Sequence, residues 1–276
     1  MDKTKLRKLL TGDFTFKRLV RSLIFVYVSI CIFAYFFSDR MIFPDRPAGY
    51  SDSPQIIKIR TANSRLISAI YLSNPDAEFT ILYNHGNWED IEYILDFLEI
   101  YRNEGFSVFA YDYQGYGTSE GKASEKNAYK DADAAYDYLV TQLKVPPDKI
   151  IIHGRSVGSG PAAYLASNHK VAGLILESPF VTAFRVVTRI PLLPFDKFRN
   201  IDRIKSVNCP VLVIGGKADK IIPFWHGEKL FEAANEPKFK LWVDDAGHND
   251  LVMAAGNSYW DTIKRFADFI KSKKYE

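Results

Sequence analysis

The apolar and polar positions follow two regimes along the chain. Near the start, "SLIFVYVSICIFAYFFS" runs from Ser22 to Ser38 without a single charge. As a helix it spans roughly 26 Å at about 1.5 Å per residue, slightly short of the ~30 Å hydrocarbon core of a bilayer. Leu19 and Val20 extend it, and Arg21 has a stem long enough to snorkel. Beyond residue 54 short apolar runs alternate with stretches of helical period. Strands are expected at Gln55–Arg60, Leu66–Leu72, Phe79–Asn84, Ser107–Tyr113, Lys149–His153, Val171–Glu177, Val211–Ile214 and Lys238–Val243. Helices are expected at Asp90–Asn103, Glu125–Leu143, Gly160–Asn168, Trp225–Ala234 and Ser258–Lys273. Two leading strands followed by strand–helix alternation predict an α/β fold. It is a doubly wound, mostly parallel, eight-stranded sheet with an antiparallel start and helices on both faces. Residues 39–54, "DRMIFPDRPAGYSDSP", are rich in Pro, Asp and Gly and read as an irregular connection.

Charge changes the picture of the first segment. Up to Arg21 the chain holds Lys3, Lys5, Arg7, Lys8, Lys17, Arg18 and Arg21 against Asp2 and Asp13, a net of +5. The whole chain carries +3, so the remainder is slightly acidic and offers no electrostatic case for nucleic acid. Bases crowd the amino-terminal side of the apolar run, and Tyr35, Phe36 and Phe37 sit where an interfacial aromatic belt lies. The expected organisation is a basic cytoplasmic tail over 1–20, a single-pass signal anchor in the lipid bilayer over 21–38, a linker over 39–54 and one domain over 55–276. That domain would sit on the non-cytoplasmic side. A cleaved signal peptide competes, but the run exceeds the usual apolar core and no clear A-x-A site follows. A buried or surface-lying helix is the third reading.

The body is long enough to bury a substantial core. Cys31 lies in the apolar run and Cys209 in the body, so the body makes no internal disulfide and depends on packing. No Cys–His cluster suggests zinc, and no metal or organic cofactor is called for. The sequence leaves the oligomeric state open.

Open parallel sheets bind ligands beyond the carboxyl ends of their strands. "KIIIHGRSVGSG", Lys149–Gly160, sends three β-branched residues into Gly154-Arg155-Ser156-Val157-Gly158, a G-x-S-x-G between strand and helix. Such a turn pushes Ser156 out of comfortable backbone space, and Gly154 and Gly158 allow the close packing it needs. A plain glycine-rich turn with a capping serine is the bland alternative. A nucleophilic serine needs a base. Of His85, His153, His169, His226 and His248, the last sits in "VDDAGHNDL" just after the final strand, placed to reach over the turn. His153 reads as a packed core residue, and His169 and His226 as solvated helix-end residues. The carboxylate that fixes the imidazole tautomer is expected from Asp219 in "GGKADKIIP", ahead of Asp244 and Asp245. The order Ser156, Asp219, His248 is that of α/β-hydrolases. Oxyanion donors are expected from the Asn87 and Val157 amides, with Gly86 permitting the turn beside the elbow. The alternative is that Asn87 merely caps the following helix.

On these residues the chain resembles the α/β-hydrolase superfamily. It is most similar to the single-domain serine hydrolases that include the mammalian depalmitoylases and their membrane-anchored fungal and bacterial relatives. The matching words are "HGNWEDI", "YDYQGYGTSEGKASEKNAYKDADAAYDYL", "KIIIHGRSVGSGPAAYLA", "VLVIGGKADKIIPFWHG" and "LWVDDAGHNDL", covering roughly residues 80–250. The resemblance implies a Ser156–Asp219–His248 triad and hydrolysis of an acyl ester or thioester, with lipidated molecules among the candidate substrates. The chain departs from the depalmitoylases where an apolar span replaces their amino-terminal cysteine cluster, and where Trp88 follows the oxyanion turn. "SPFVTAFRVVTRIPLLPFDKFRN", Ser178–Asn200, lies where this fold inserts its lid. It reads either as a packed connection or as a small cap whose Phe180, Phe184, Ile190, Leu192, Leu193 and Phe195 join Trp88 in an acyl pocket. A peptidase of the same fold and a non-catalytic membrane-tethered binding protein are the alternative functions.

Overall fold

The structure, a computed structural model, describes residues 15–273. It divides between Met41 and Ile42 into two compact units. Helix α1, Phe16–Ile42, is the one helix among the described residues long and apolar enough to cross a membrane, and its most apolar stretch is unburied. The expected span over 21–38 falls inside it. Of the basic tail, residues 1–14 lie outside the described residues.

In the second unit a single sheet has the order β1-β2-β4-β3-β5-β6-β7-β8. The strands are β1 Ile57–Arg60, β2 Leu66–Leu72, β3 Thr80–Asn84, β4 Ser107–Tyr111, β5 Ile150–Arg155, β6 Gly173–Glu177, β7 Val211–Gly216 and β8 Lys238–Val243. β2 runs antiparallel to both neighbours, and every other pairing is parallel. The eight expected strands are all present, with ends shifted by a few residues.

The helices are α2 Ile91–Asn103, α3 Glu125–Thr141, α4 Ser159–Asn168, the short α5 Arg185–Thr188 and α6 Asn200–Arg203, α7 Trp225–Ala233, the short α8 Leu251–Ala255 and α9 Asn257–Ser272. The three short helices have no counterpart in the sequence pattern, because four or five residues cannot display a helical period. Strand residues alternate between two cores. Ile150, Ile152, Leu82 and Val213 pack on the α3–α4–α7 side. Ile151, Ile81, Leu212 and Ile214 pack on the α2–α9 side. A strand with both faces covered is apolar at every position, which is why Ile150–Ile152 carries no alternation.

Residues 39–54 are more ordered than an irregular connection. Asp39 to Ile42 complete α1, and Phe43 is buried against the rings of Tyr113, Tyr116 and Phe198. Tyr116 donates to the Pro44 carbonyl at 3.2 Å, and Tyr50 donates to Asp112 at 2.6 Å. Proline and glycine forbid regular structure there but do not prevent packing.

β3 and β5 are neighbours in register, Asn84 beside Gly154. The chain leaves β3 through α2 toward β4 on one side and leaves β5 through α4 toward β6 on the other. The two turns beyond these strands therefore flank the point where the winding reverses, where open α/β sheets bind ligands.

Candidate active site

The turn after β5 is built for close approach. Ser156 has φ +52°, the left-handed region, and opens a single 3₁₀ turn, Ser156–Gly158, before α4. Positive φ strains a non-glycine residue, and such strain gathers at functional sites. A β-carbon on Gly154 would stand 2.4 Å from both Ala162 Cβ and the Gly158 carbonyl oxygen. One on Gly158 would stand 2.1 Å from the Asn84 carbonyl oxygen. Both positions therefore require glycine, and the backbones beyond β3 and β5 pack against each other.

Loops after β7 and β8 bring two more side chains to this turn. His248 Nε2 lies 3.0 Å from Ser156 Oγ, and His248 Nδ1 lies 2.7 Å from Asp219 Oδ2. The other carboxylate oxygen of Asp219 accepts the amides of Ile221 and Ile222, each at 2.8 Å. Both orientations are thereby fixed: the carboxylate by backbone amides, the imidazole by the carboxylate. Asp244 and Asp245 are exposed instead, with Asp244 paired to Lys217.

The turn after β3 carries Gly86, Asn87 and Trp88. The helix cap there is Asp90, which accepts from the Tyr93 amide at 3.1 Å, so Asn87 does not cap α2. The Asn87 side chain points to the Ile42 carbonyl at 3.5 Å. The Gly86 amide donates to Glu89 Oε2 at 2.5 Å, which closes the turn on itself. His85, fully buried, contacts the Gly86 carbonyl through Nδ1 at 2.7 Å, and burial lowers its pKa to about 4, so it stays neutral at pH 7.

A cleft of about 350 Å³ opens over these groups, lined by Gly86, Asn87, Trp88, Glu89, Tyr93, Arg155, Ser156, Ile221, His248 and Asn249. A second compartment of about 190 Å³ shares Glu89, Tyr93, Arg155, His248 and Asn249 with it and runs back to Glu177 and Phe97. Trp88, 55% exposed with φ +63°, stands at the rim, as do Tyr93 and Ile221. Phe180, Phe184, Leu192 and Leu193 do not line this cleft. Phe180 is buried in the core near Phe198, Phe184 packs on Phe195, and Leu192 is exposed. Asp196 ties this segment down by accepting from Thr182 and the Phe184 amide, and Phe184 and Phe195 are left half-buried against each other.

His226 also differs from its expected place. It is buried, it accepts the Val181 amide at 3.2 Å, and it stacks on Trp225 at 3.7 Å. Burial, with Arg185 and Lys229 nearby, lowers its pKa to about 4. His153 is a core residue as expected, bonded to Tyr101 at 2.8 Å.

Glu89, Arg155 and Glu177 were not singled out from the sequence. Arg155 Nη1 pairs with Glu89 and its Nε with Glu177 at 3.2 Å. Burial disfavours the Glu177 carboxylate, but His153, Arg155 and the Tyr259 hydroxyl outweigh it and hold the pKa at about 2. The available signal was positional: Arg155 lies inside the motif and Glu177 ends a strand.

A family model described as serine aminopeptidase, S33, matches residues 75–195. The α/β-hydrolase domain-containing protein 17B of Xenopus tropicalis is 37% identical over 219 residues, 78% of this chain and 75% of that protein. The mouse α/β-hydrolase domain-containing protein 17C is 38% identical over 220 residues, 78% of this chain and 68% of that protein. An esterase of Pyrococcus furiosus shares the fold with TM-score 0.69 at 19% identity, over 82% of this chain and 98% of that one. An α/β hydrolase of Vibrio vulnificus aligns with TM-score 0.62 at 23% identity, over 77% and 81%. The chain belongs to the α/β-hydrolase superfamily.

Proposed function

We propose that the protein is a serine hydrolase that cleaves carboxylic ester or thioester bonds through an acyl-enzyme. The carrying observation is the unbroken chain of contacts from Ser156 Oγ to His248 Nε2 and from His248 Nδ1 to Asp219 Oδ2, at a serine with positive φ. Ser156 Oγ attacks the acyl carbonyl while His248 Nε2 takes its proton. Asp219 stabilises the imidazolium and keeps its tautomer. The Asn87 and Val157 amides bind the tetrahedral oxyanion. His248 then protonates the departing alcohol or thiol, and water repeats the sequence to release the acid. Trp88, Tyr93 and Ile221 offer an apolar rim for the acyl group.

The aminopeptidase reading needs an acid to receive a free amine. Glu89 and Glu177 border the second compartment, but the first is taken by Arg155 and Gly86 and the second by Arg155 and Tyr259. This favours ester over aminoacyl amide.

In this reading α1 anchors the protein in the membrane, and the basic tail keeps the catalytic domain on the opposite, non-cytoplasmic side. A fluorophosphonate probe tests the proposal. Wild type should label and Ser156→Ala should not, and acyl thioesters should compete better than aminoacyl amides. A wild-type protein that neither labels nor turns over esters would overturn it.

A further inference from the structure

The residue between Gly154 and Ser156 in the elbow is an arginine whose side chain is 17% exposed, and all three of its nitrogens are engaged. Nη1 pairs with Glu89 in the turn after β3, and Nε meets Glu177 Oε1 at the end of β6, at 3.2 Å. Nη2 faces the His248 carbonyl at 3.4 Å and Asn249 Oδ1 at 3.1 Å, in the loop after β8. Glu89 uses its second oxygen to accept the Gly86 amide. Glu177 uses its second oxygen to accept the Tyr259 hydroxyl, and the same oxygen faces His153. One guanidinium thus touches the loop that carries the imidazole. It also touches the acid that braces the oxyanion turn, and it is covalently one residue from the nucleophile.

We propose that Arg155 is a positioning residue that holds the histidine loop and the oxyanion turn in register with Ser156. The proposal rests on the Ser156–His248–Asp219 reading. The oxyanion turn and the histidine loop come from opposite sides of β5 in the sheet order, so their spacing depends on a bridge between them. A planar fork with five donors can serve acceptors on three elements at once. A lysine keeps the charge as a point and cannot. A misplacement of about 1 Å at a reacting group costs on the order of a hundredfold in rate.

The charge balance gives a second readout. His248 is faced by Asp219 and Ser156 at its ring and by Arg155 at its carbonyl. It shares the second compartment with Glu89, Glu177, Tyr83 and Tyr93. Asp250 accepts the Gly247 amide on the same loop. Arg155 is the cation that balances Glu89 and Glu177 beside the imidazole. Removing it leaves the two carboxylates uncompensated beside the imidazole and moves the acid limb of kcat/KM to higher pH.

The test uses the full chain in detergent with a short p-nitrophenyl ester, with thermal unfolding to verify folding. Arg155→Lys should lower kcat about a hundredfold, leave KM within about threefold and leave the acid limb in place. Arg155→Met should lower kcat at least as far and move the acid limb upward. Adding Glu89→Gln to Arg155→Met should cost much less than Glu89→Gln costs alone, because both remove the same bridge. Arg155→Lys with kcat within threefold of wild type overturns the proposal, as does a folded Arg155→Met with an unmoved acid limb. If Arg155→Met does not fold, the lysine variant decides. Ser156→Ala runs alongside: turnover retained there removes the serine-hydrolase reading itself, a result separate from either Arg155 outcome.

Discussion

Gly158 stands so close to Asn84 that a β-carbon on it would lie 2.1 Å from the Asn84 carbonyl oxygen, with the His85 carbonyl at 2.7 Å. The obstacle is backbone from the neighbouring strand's turn, so it cannot swing aside as a side-chain tip would. Gly158→Ala is expected to force the two turns apart and to abolish probe labelling. Gly105→Ala is the control: it has positive φ but open space, so it should cost stability while labelling survives. Labelling by Gly158→Ala at the wild-type rate would contradict the packing.

Asp219→Asn should preserve the loop, because the amide oxygen still accepts from Ile221 and Ile222. It presents an N–H to His248 Nδ1, however, and so favours the wrong tautomer. The expected loss in kcat is about 10⁴-fold with near-native melting. Equal losses of activity and melting temperature would indicate a structural role.

Trp88 and Phe180 should part company. Trp88→Ala, at the cleft rim, should change the ratio of long-chain to short-chain ester KM and leave stability near wild type. Phe180→Ala, in the core, should cost about 3–5 kcal/mol of stability with acyl preference unchanged. Paired measurements of KM across acyl lengths and of urea unfolding decide this.

His226 should contribute to acid sensitivity. Its folded pKa, about 4, is depressed below its ordinary value by burial. The unfolded chain therefore binds an extra proton between about pH 6.5 and 4. Stability from this group is complete above that window and lost as pH falls through it. Asp112 and Asp131 oppose it: burial raises both to about 7, so their contribution declines as pH rises from about 4 to 7. His226→Asn should change the slope of unfolding free energy against pH by one proton within the window; an unchanged slope would refute the assignment.

Sidedness is open to a direct measurement. A membrane-impermeant fluorophosphonate should label the protein on intact cells as strongly as on permeabilised ones. Labelling only after permeabilisation would place the domain in the cytoplasm, against the charge asymmetry around α1.

The sheet was legible because strands with both faces covered announce themselves as unbroken β-branched runs, as at Ile150–Ile152. Ser156, Asp219 and His248 were legible as strand-end residues in a known order, and the structure brings their side chains within hydrogen-bond distance. The cap was not legible: the apolar stretch Ser178–Asn200 does not say that Phe180 and Phe198 go into the core while Phe184 and Phe195 stay half-buried beside the Asp196 contacts to Thr182 and Phe184. His226 was misplaced because a helix-end position says nothing about burial by a distant segment around Val181. The Arg155 bridge was hidden because its acceptors, Glu89, Glu177 and the His248–Asn249 loop, lie 66, 22 and 93–94 residues away along the chain.

Phe43 is seated among Tyr113, Tyr116 and Phe198, so a residue well ahead of the first strand already belongs to the core of the body. Any recombinant fragment meant to be secreted must begin upstream of Phe43, or it will leave an empty socket in its own interior.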